Sequence, residues 1–167
     1  MNPVHFDNWT EAQKAALRNA KSFSDLFHVA MSVVKRMPPG VHMISGPIST
    51  GGVGTREGNM KVFSGVIEIL TIEQGLNVFS QAPFELMIKE LLEEWMIANP
   101  KEKYCTPILT DFYKPLFESR LVTVMHFING WESSHGARFE HAECVRLGIK
   151  IDYLGVEYSV KALARAA

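Results

Sequence analysis

The sequence predicts an α/β fold in which helices cover a parallel β-sheet. Short apolar segments (41–45, 76–80, 121–128 and 149–154) alternate with longer segments of helical spacing. The segment 121–128 (LVTVMHFI) is apolar almost throughout, which is typical of a strand buried on both faces of a parallel sheet. With 167 residues, 47% of them hydrophobic, the chain is long enough for one substantial core. We therefore expect one layered α/β domain with strands and helices in alternation.

Two helices are predicted before the first strand. The segments 10–13 (TEAQ) and 22–25 (SFSD) have the pattern of helix starts in which a side-chain oxygen caps the first turn. The helices should reach about residues 20 and 36, before the breaker segment 38–40 (PPG). We interpret residues 1–40 as an N-terminal helical extension and residues 41–167 as the α/β domain. The apolar side chains of the extension need a partner surface, either the sheet or a second subunit.

A glycine-rich loop, residues 46–58, follows the first predicted strand. It contains five glycines and Arg56, so its backbone N–H groups can approach a phosphate. It is neither a Walker A loop nor a dinucleotide fingerprint, because the required lysine and glycine spacings are missing. A mobile surface loop is the alternative interpretation. Asn59 is predicted to cap the next helix, which should end at Gly75.

The remaining elements follow from breakers and periodicity. Pro83 is expected in the first turn of a helix that reaches about residue 98, and its acidic positions are interpreted as a solvated face. Thr106 and Pro107 should open another helix, which Pro115 bends or shortens. Residues 155–167 fit a strand at their beginning and a helix at their end, so their structure stays open.

The segment 127–147 (FINGWESSHGARFEHAECVRL) joins a strand to a helix that should end at Gly148. Helical spacing places Ala137, Glu140, Cys144 and Leu147 on one apolar stripe. Ligands bind outside the carboxyl ends of strands in open parallel sheets, so a carboxylate here is well placed for chemistry. The residues alone also allow a simpler interpretation, in which Glu140 complements the helix dipole.

Two segments resemble a known family. The segment 130–142 (GWESSHGARFEHA) resembles the signature of the nucleoside 2-deoxyribosyltransferase-like superfamily, and within it a branch with a GW…GAR-x-EH pattern. The segment 44–48 (ISGPI) resembles the family's first strand and the Gly-Pro loop after it. The resemblance covers roughly residues 41–154. It implies a flavodoxin-like (Rossmann-like) three-layer fold with four to five parallel strands, in which the loops after the first and third strands face each other.

The resemblance also implies a reaction. In the family, a glutamate at the position of Glu140 attacks the anomeric carbon of a 2-deoxyribose and displaces the base, and water or another base then takes the sugar. We expect the helix N-terminus to favour the ionised form of Glu140. The proton donor stays open among Glu57, Glu132, His135 and His141. The residues expected to bind the substrate are Gly46, Pro47, Ile48, Arg56, Trp131, Ser134 and Gly136.

Ser134 distinguishes two substrate classes. Family members that act on nucleosides place an Asp six residues before the nucleophile, where it accepts a hydrogen bond from the 5′-hydroxyl. The related 5′-monophosphate N-glycosidases place a Ser there, which can donate to a phosphate. Ser134 therefore favours hydrolysis of a nucleoside 5′-monophosphate. A deoxyribosyltransferase that exchanges bases is the first alternative, and a non-catalytic nucleotide-binding or assembly protein is the second.

Composition excludes several partners. The net charge of −1 gives no basic field for nucleic acid or an anionic membrane. The chain has neither an apolar stretch of about 18 residues nor the pattern of a secretory signal, so a cytoplasmic protein with no membrane partner is expected. No cofactor or metal is expected, because the histidine spacings do not match zinc motifs, and Cys105 and Cys144 should not form a disulfide. The resemblance and the apolar N-terminal helices predict a homo-oligomer, a dimer or larger.

Overall fold

The computed structural model describes residues 3–49 and 51–166, and three parallel strands form its sheet. They are β1 (Val41–Ser45), β2 (Val122–Phe127) and β3 (Lys150–Tyr153), in the spatial order β1-β2-β3. Ser45 at the end of β1 pairs with Phe127 at the end of β2, and Phe127 pairs with Tyr153 at the end of β3. The carboxyl ends of the three strands therefore lie at the same edge of the sheet. The prediction of an α/β fold with a parallel sheet is confirmed.

The segment 76–80, predicted as a strand, pairs with β1 at a single position. His42 N donates to the Asn77 carbonyl at 2.8 Å, and Phe79 N donates to the His42 carbonyl at 2.8 Å. A 3-10 turn at Ala82–Phe84 then turns the chain away, which limits the pairing to this bridge. The described residues therefore contain three regular strands, with a bridged segment on the outer side of β1.

Helices occupy the intervals between the strands. Thr10 and Ser22 cap the first two helices as predicted, and the segment after Gly155 is helical. Turns of 3-10 type lie at Pro3–Phe6 and Trp131–Ser133, and π-helical turns lie at Ile69–Glu73 and Ile108–Tyr113. The α-helices are α1 (Glu11–Arg18), α2 (Phe23–Val34), α3 (Arg56–Glu68), α4 (Glu85–Ala98), α5 (Lys114–Glu118), α6 (His135–Leu147) and α7 (Val156–Arg165).

The predicted start of α3 was wrong. The helix begins at Arg56 because Thr55 caps it, accepting a hydrogen bond from Gly58 N at 3.1 Å. Asn59 lies inside the first turns of the helix, 4% exposed, and its side chain bonds to the preceding loop instead. The glycine-rich loop therefore ends at Thr55.

Two helical layers enclose the sheet. On one face, α3 and α7 pack together over Ile44, Ile128 and Leu154. On the other face, α2, α6 and residues 108–118 pack over Met43, Met125 and Phe127. The two N-terminal helices therefore belong to the same core as the sheet, which is one of the two partner surfaces considered from sequence. No helix among residues 3–49 and 51–166 is long and apolar enough to cross a bilayer.

The connections leave a crevice between β1 and β2. The chain leaves β1 for α3 on one face of the sheet, whereas it leaves β2 for α6 on the opposite face. Loops that diverge in this way open a space at the carboxyl ends of two neighbouring strands, and ligands bind preferentially at such a position. The residues after Ser45 and after Phe127 form its two sides.

Candidate active site

A small, partly open cavity of about 60 Å³ lies in this crevice. Gly46, Ile48 and Ser49 reach it from the loop after β1, and Arg56 reaches it from the start of α3. The start of α6 contributes a second wall, the first residue of α4 a third, and residues 104–113 a fourth. The polar or small residues of these three walls are Ser134, Gly136, Glu140, Glu85, Tyr104 and Tyr113.

Glu140 is the most deeply placed carboxyl group of the cavity. It lies on the buried stripe of α6 with Ala137, Cys144 and Leu147, as predicted, and is 7% exposed. Burial, with a smaller contribution from the nearby Glu85 carboxyl, raises the pKa of Glu140 to about 8. Glu140 is the sixth residue of α6, so it lies beyond the first turn, where the helix dipole acts most strongly. The expectation that the helix N-terminus keeps this carboxyl ionised was therefore wrong, because desolvation dominates.

The last residue of β1 faces the Glu140 carboxyl. The Ser45 hydroxyl is 1% exposed, and its interaction with the carboxylate lowers the pKa of Glu140, which offsets part of the effect of burial. The contact between the two groups is not a hydrogen bond of normal geometry, because Ser45 Oγ makes none within the described part of the chain. A buried hydroxyl without such a hydrogen bond leaves hydrogen-bonding capacity for a ligand.

A second carboxyl group, that of Glu85, shares the cavity. Arg56 Nη2 donates to Glu85 Oε2 at 2.7 Å, and Arg56 Nη1 donates to Ser49 Oγ at 2.7 Å. The Glu85 side chain is 10% exposed and the Arg56 side chain 29%, so the cation lies on the outer side of the pair. Burial raises the pKa of Glu85 to about 7, although the guanidinium lowers it. The cavity thus holds two carboxyl groups and one arginine.

Two tyrosines line the cavity beside these carboxyl groups. Burial and the charge of Glu140 raise the pKa of Tyr104 to about 12, and burial raises the pKa of Tyr113 well above its ordinary value. Both phenols are therefore neutral at physiological pH. Tyr113 precedes α5 within a π-helical turn, a feature that is often found at functional sites.

The glycine-rich loop is held against α3 and α6. Asn59 Oδ1 accepts from Val53 N at 2.9 Å, and Asn59 Nδ2 donates to the Ile48 and Gly51 carbonyls at 3.0 and 3.1 Å. Gly52 N donates to Ser133 Oγ at 3.0 Å, which joins the loop to the turn before α6. The loop thus has defined contacts on both sides of the crevice.

Ser134 and Gly136 form the rim beside α6. Ser134 is 5% exposed and caps the helix, accepting from Ala137 N at 3.3 Å. A Cβ atom at Gly136 would lie 3.2 Å from the Tyr104 hydroxyl, so only a small residue fits there without displacing the tyrosine. These two positions set the width of the cavity on this side.

The structure brings most of the predicted site residues together. Gly46, Ile48, Arg56, Ser134 and Gly136 line the cavity with Glu140. Two predicted residues lie outside it. Pro47 points towards a groove beside α7, and Trp131 stacks on His141 with ring centroids 4.4 Å apart.

None of the four proton donors considered from sequence lines the cavity. The Glu57 side chain is 82% exposed and pairs with Lys61. His141 bonds to the Tyr153 hydroxyl at 2.6 Å beside Trp131. His135 is exposed and its ring lies 4.3 Å from that of Tyr104, and Glu132 is exposed on the turn before α6.

The sequence did not single out Glu85, Tyr104 or Tyr113. Glu85 carried one usable signal, because it follows the segment 76–80 and so lies at the carboxyl end of the strand-like segment next to β1. No such sequence signal pointed to Tyr104 or Tyr113, because their place in the cavity depends on how residues 104–113 pack.

Comparison with protein-family models, with curated proteins and with solved structures returned no match to this chain. The resemblance to the deoxyribosyltransferase-like superfamily therefore depends on the two sequence segments and stays a prediction. Among the described residues, no three His, Cys, Asp or Glu side chains are grouped so that they could hold a metal ion.

Proposed function

We propose that the protein cleaves the N-glycosidic bond of a 2′-deoxynucleoside 5′-monophosphate, with Glu140 as the nucleophile. The observation that carries this proposal is the cavity in which Glu140 and Glu85 lie together between the loops after β1 and β2. Glycoside cleavage commonly uses two carboxyl groups, one of which must be protonated while the other is ionised. The flavodoxin-like arrangement of the family, with the 76–80 segment as the outer strand, would place a sugar in this crevice.

The phosphate part of the proposal comes from the rim of the cavity. Ser134 presents a hydroxyl and Arg56 presents a guanidinium to the cavity. Each of these groups can donate to a phosphate oxygen, whereas an Asp at position 134 would repel it. These donors favour a 5′-monophosphate over a nucleoside.

The size of the cavity sets a condition on binding. A volume of about 60 Å³ is room for about two water molecules, whereas pockets for small ligands enclose about 300–1,000 Å³. A nucleotide therefore requires the crevice to widen.

The test is a search for released base. The protein is incubated with a panel of deoxynucleosides and their 5′-monophosphates, and free base is measured by chromatography. Glu140→Gln should reduce base release on the order of 10³-fold or more, because it removes the nucleophile. Glu132→Gln is the matched control, since Glu132 is exposed on the turn before the same helix. Near-full activity of Glu140→Gln would exclude covalent catalysis by this residue.

The alternatives predict other products. A deoxyribosyltransferase would release little base on its own and would form a new nucleoside when a second free base is added. A nucleotide-binding protein would bind members of the panel without any product. The assay with and without a second base therefore distinguishes all three functions.

A further inference from the structure

The Arg56–Glu85 pair affects which of the two carboxyl groups of the cavity holds a proton. Arg56 Nη2 donates to Glu85 Oε2 at 2.7 Å, which favours the ionised form of Glu85, whereas burial favours the protonated form of Glu140. When the two carboxyl groups hold one proton, that proton therefore resides mainly on Glu140. Glu140 is then neutral and cannot act as a nucleophile, so something must exchange the protonation states before the reaction.

We propose that the 5′-phosphate of the substrate takes the Arg56 guanidinium from Glu85, so that Glu85 becomes the acid that protonates the leaving base and Glu140 becomes the nucleophilic carboxylate. This inference rests on the proposed function and adds to it a residue, Glu85, and a reason for the preference for monophosphates.

The geometry supports an exchange of partners at Arg56. Its guanidinium bonds to Ser49 of the loop through one nitrogen and to Glu85 through the other. The Arg56 side chain lies at the rim and is 29% exposed, whereas the Glu85 side chain is only 10% exposed. A phosphate held by the loop would therefore meet the cation before it meets the carboxylate. A dianion that bonds to Arg56 removes the positive charge that keeps Glu85 ionised.

The groups that face Glu85 would reinforce its protonation. From α3 it faces Arg56, from α6 Glu140, and from the π-helical turn Tyr113, which is neutral. Once Arg56 is engaged by phosphate, the charged groups left beside Glu85 are both negative, the Glu140 carboxylate and the phosphate itself. One proton shared by the two carboxyl groups then resides on Glu85.

The reaction balances with these two groups and water. The bond from C1′ to the base nitrogen breaks, its electron pair stays on the nitrogen, and the proton of Glu85 binds there. Glu140 Oε forms an ester bond with C1′. Water then attacks C1′, the ester bond breaks to regenerate the Glu140 carboxylate, and the proton of the water returns to Glu85. Departure of the sugar phosphate restores the Arg56–Glu85 pair.

The first experiment tests the acid role of Glu85 with two substrates. One is a deoxynucleoside 5′-monophosphate, and the other is the nitrophenyl glycoside of 2-deoxyribose 5-phosphate, whose leaving group needs no proton. Glu85→Gln should reduce kcat/KM for the nucleotide about 10²-fold or more, as loss of general acid catalysis does. It should leave kcat/KM for the nitrophenyl substrate within a few-fold, because kcat/KM reports only the steps up to formation of the ester and this leaving group needs no proton. Glu90→Gln, an exposed position on the same helix, should change neither. Equal losses of Glu85→Gln on both substrates, or no loss on the nucleotide, would overturn the acid role.

The second experiment tests the exchange at Arg56 without any catalysis. Calorimetry measures the affinity of wild type and Glu85→Gln for 2-deoxyribose 5-phosphate between pH 7 and 9, where the phosphate is a dianion. Well above pH 8 the free protein has lost the proton of Glu140. Wild-type affinity should therefore fall as pH rises beyond 8, by up to about tenfold per pH unit, because the complex requires a proton on Glu85. Glu85→Gln should lose this dependence and bind more tightly than wild type at pH 9. Free 2-deoxyribose should show no difference between the two proteins.

The outcomes separate the two proposals. Phosphate affinity that depends on pH through Glu85, without cleavage of any N-glycoside, would refute the proposed function and leave the exchange at Arg56 in place. Cleavage by wild type together with the same pH dependence in Glu85→Gln would refute the exchange and leave the function in place. Failure of wild type to bind the sugar phosphate would refute the exchange directly.

Discussion

Glu140 links the stability of the protein to pH. Its pKa is about 8 in the folded protein against an ordinary value of 4.5, so the folded chain keeps a proton that the unfolded chain loses. The free energy of unfolding should therefore decrease as pH rises from about 4.5 to 8, by an amount on the order of a few kcal/mol. Glu140→Gln, which is neutral at every pH, should have a higher Tm than wild type at pH 8 and a smaller advantage at pH 5.

Thermal unfolding of wild type, Glu140→Gln and Glu132→Gln between pH 5 and 9 measures this dependence. The exposed Glu132→Gln variant should follow the wild-type curve. Parallel curves for wild type and Glu140→Gln would show that Glu140 is ionised in the folded state, which contradicts the effect of burial.

The role proposed for Ser134 distinguishes a nucleotide substrate from a nucleoside substrate. In Ser134→Asp, a carboxylate would lie beside the phosphate, and two like charges in a partly dry site repel by several kcal/mol at an effective dielectric constant near 20. Turnover of the monophosphate should fall by orders of magnitude. Nucleoside turnover should fall less or rise, because Asp can accept a hydrogen bond from the 5′-hydroxyl. Asp also caps helices well, so α6 should keep its cap.

The measurement is kcat/KM for a matched deoxynucleoside and its 5′-monophosphate in wild type and Ser134→Asp. The ratio of the two values isolates the phosphate from general effects on folding. A wild-type preference for the nucleoside that Ser134→Asp leaves unchanged would contradict the phosphate assignment and favour the transferase.

At the scale of single elements, the sequence predicted α6 well and α3 poorly. The apolar stripe of α6, its Ser134 cap and its end at Gly148, where φ is +66°, are all local properties of the chain. The start of α3 depends on a tertiary contact, because Asn59 bonds to loop residues from Ile48 to Val53 instead of capping the helix. Local capping preferences cannot show which partner a side chain chooses.

The same distinction between local and non-local contacts explains the site. Glu140, Ser134 and Gly136 lie on one short segment, so one motif predicted all three. Glu85 enters the cavity from α4 through its pair with Arg56, which is 29 positions away in the chain. Trp131 lies outside the cavity because its ring stacks with those of His141 and of Tyr153 in β3. Both results depend on packing between distant elements.

At the scale of the whole molecule, the apolar side chains of the N-terminal helices are buried within the chain's own core. Leu26, Ala30 and Val33 of α2 are buried against the chain's own sheet. Self-association stays a prediction, and another surface now suits it better. On α7, Val156 and Val160 are 58% and 62% exposed, and Leu163 is 39% exposed; together with Val53 of the glycine-rich loop they line an open groove of about 450 Å³.

We expect a second copy of the chain to cover this groove, because its apolar residues follow the spacing of one helix face and border the loop of the candidate site. Val160→Glu should place a charge in the contact and convert the assembly to monomers, measured by light scattering over a range of protein concentrations. Val145→Glu is the matched control, since Val145 is 64% exposed on α6 and lies outside the groove. A wild-type mass that stays monomeric at every concentration would contradict self-association. A dimer that Val145→Glu disrupts and Val160→Glu preserves would instead place the contact on α6.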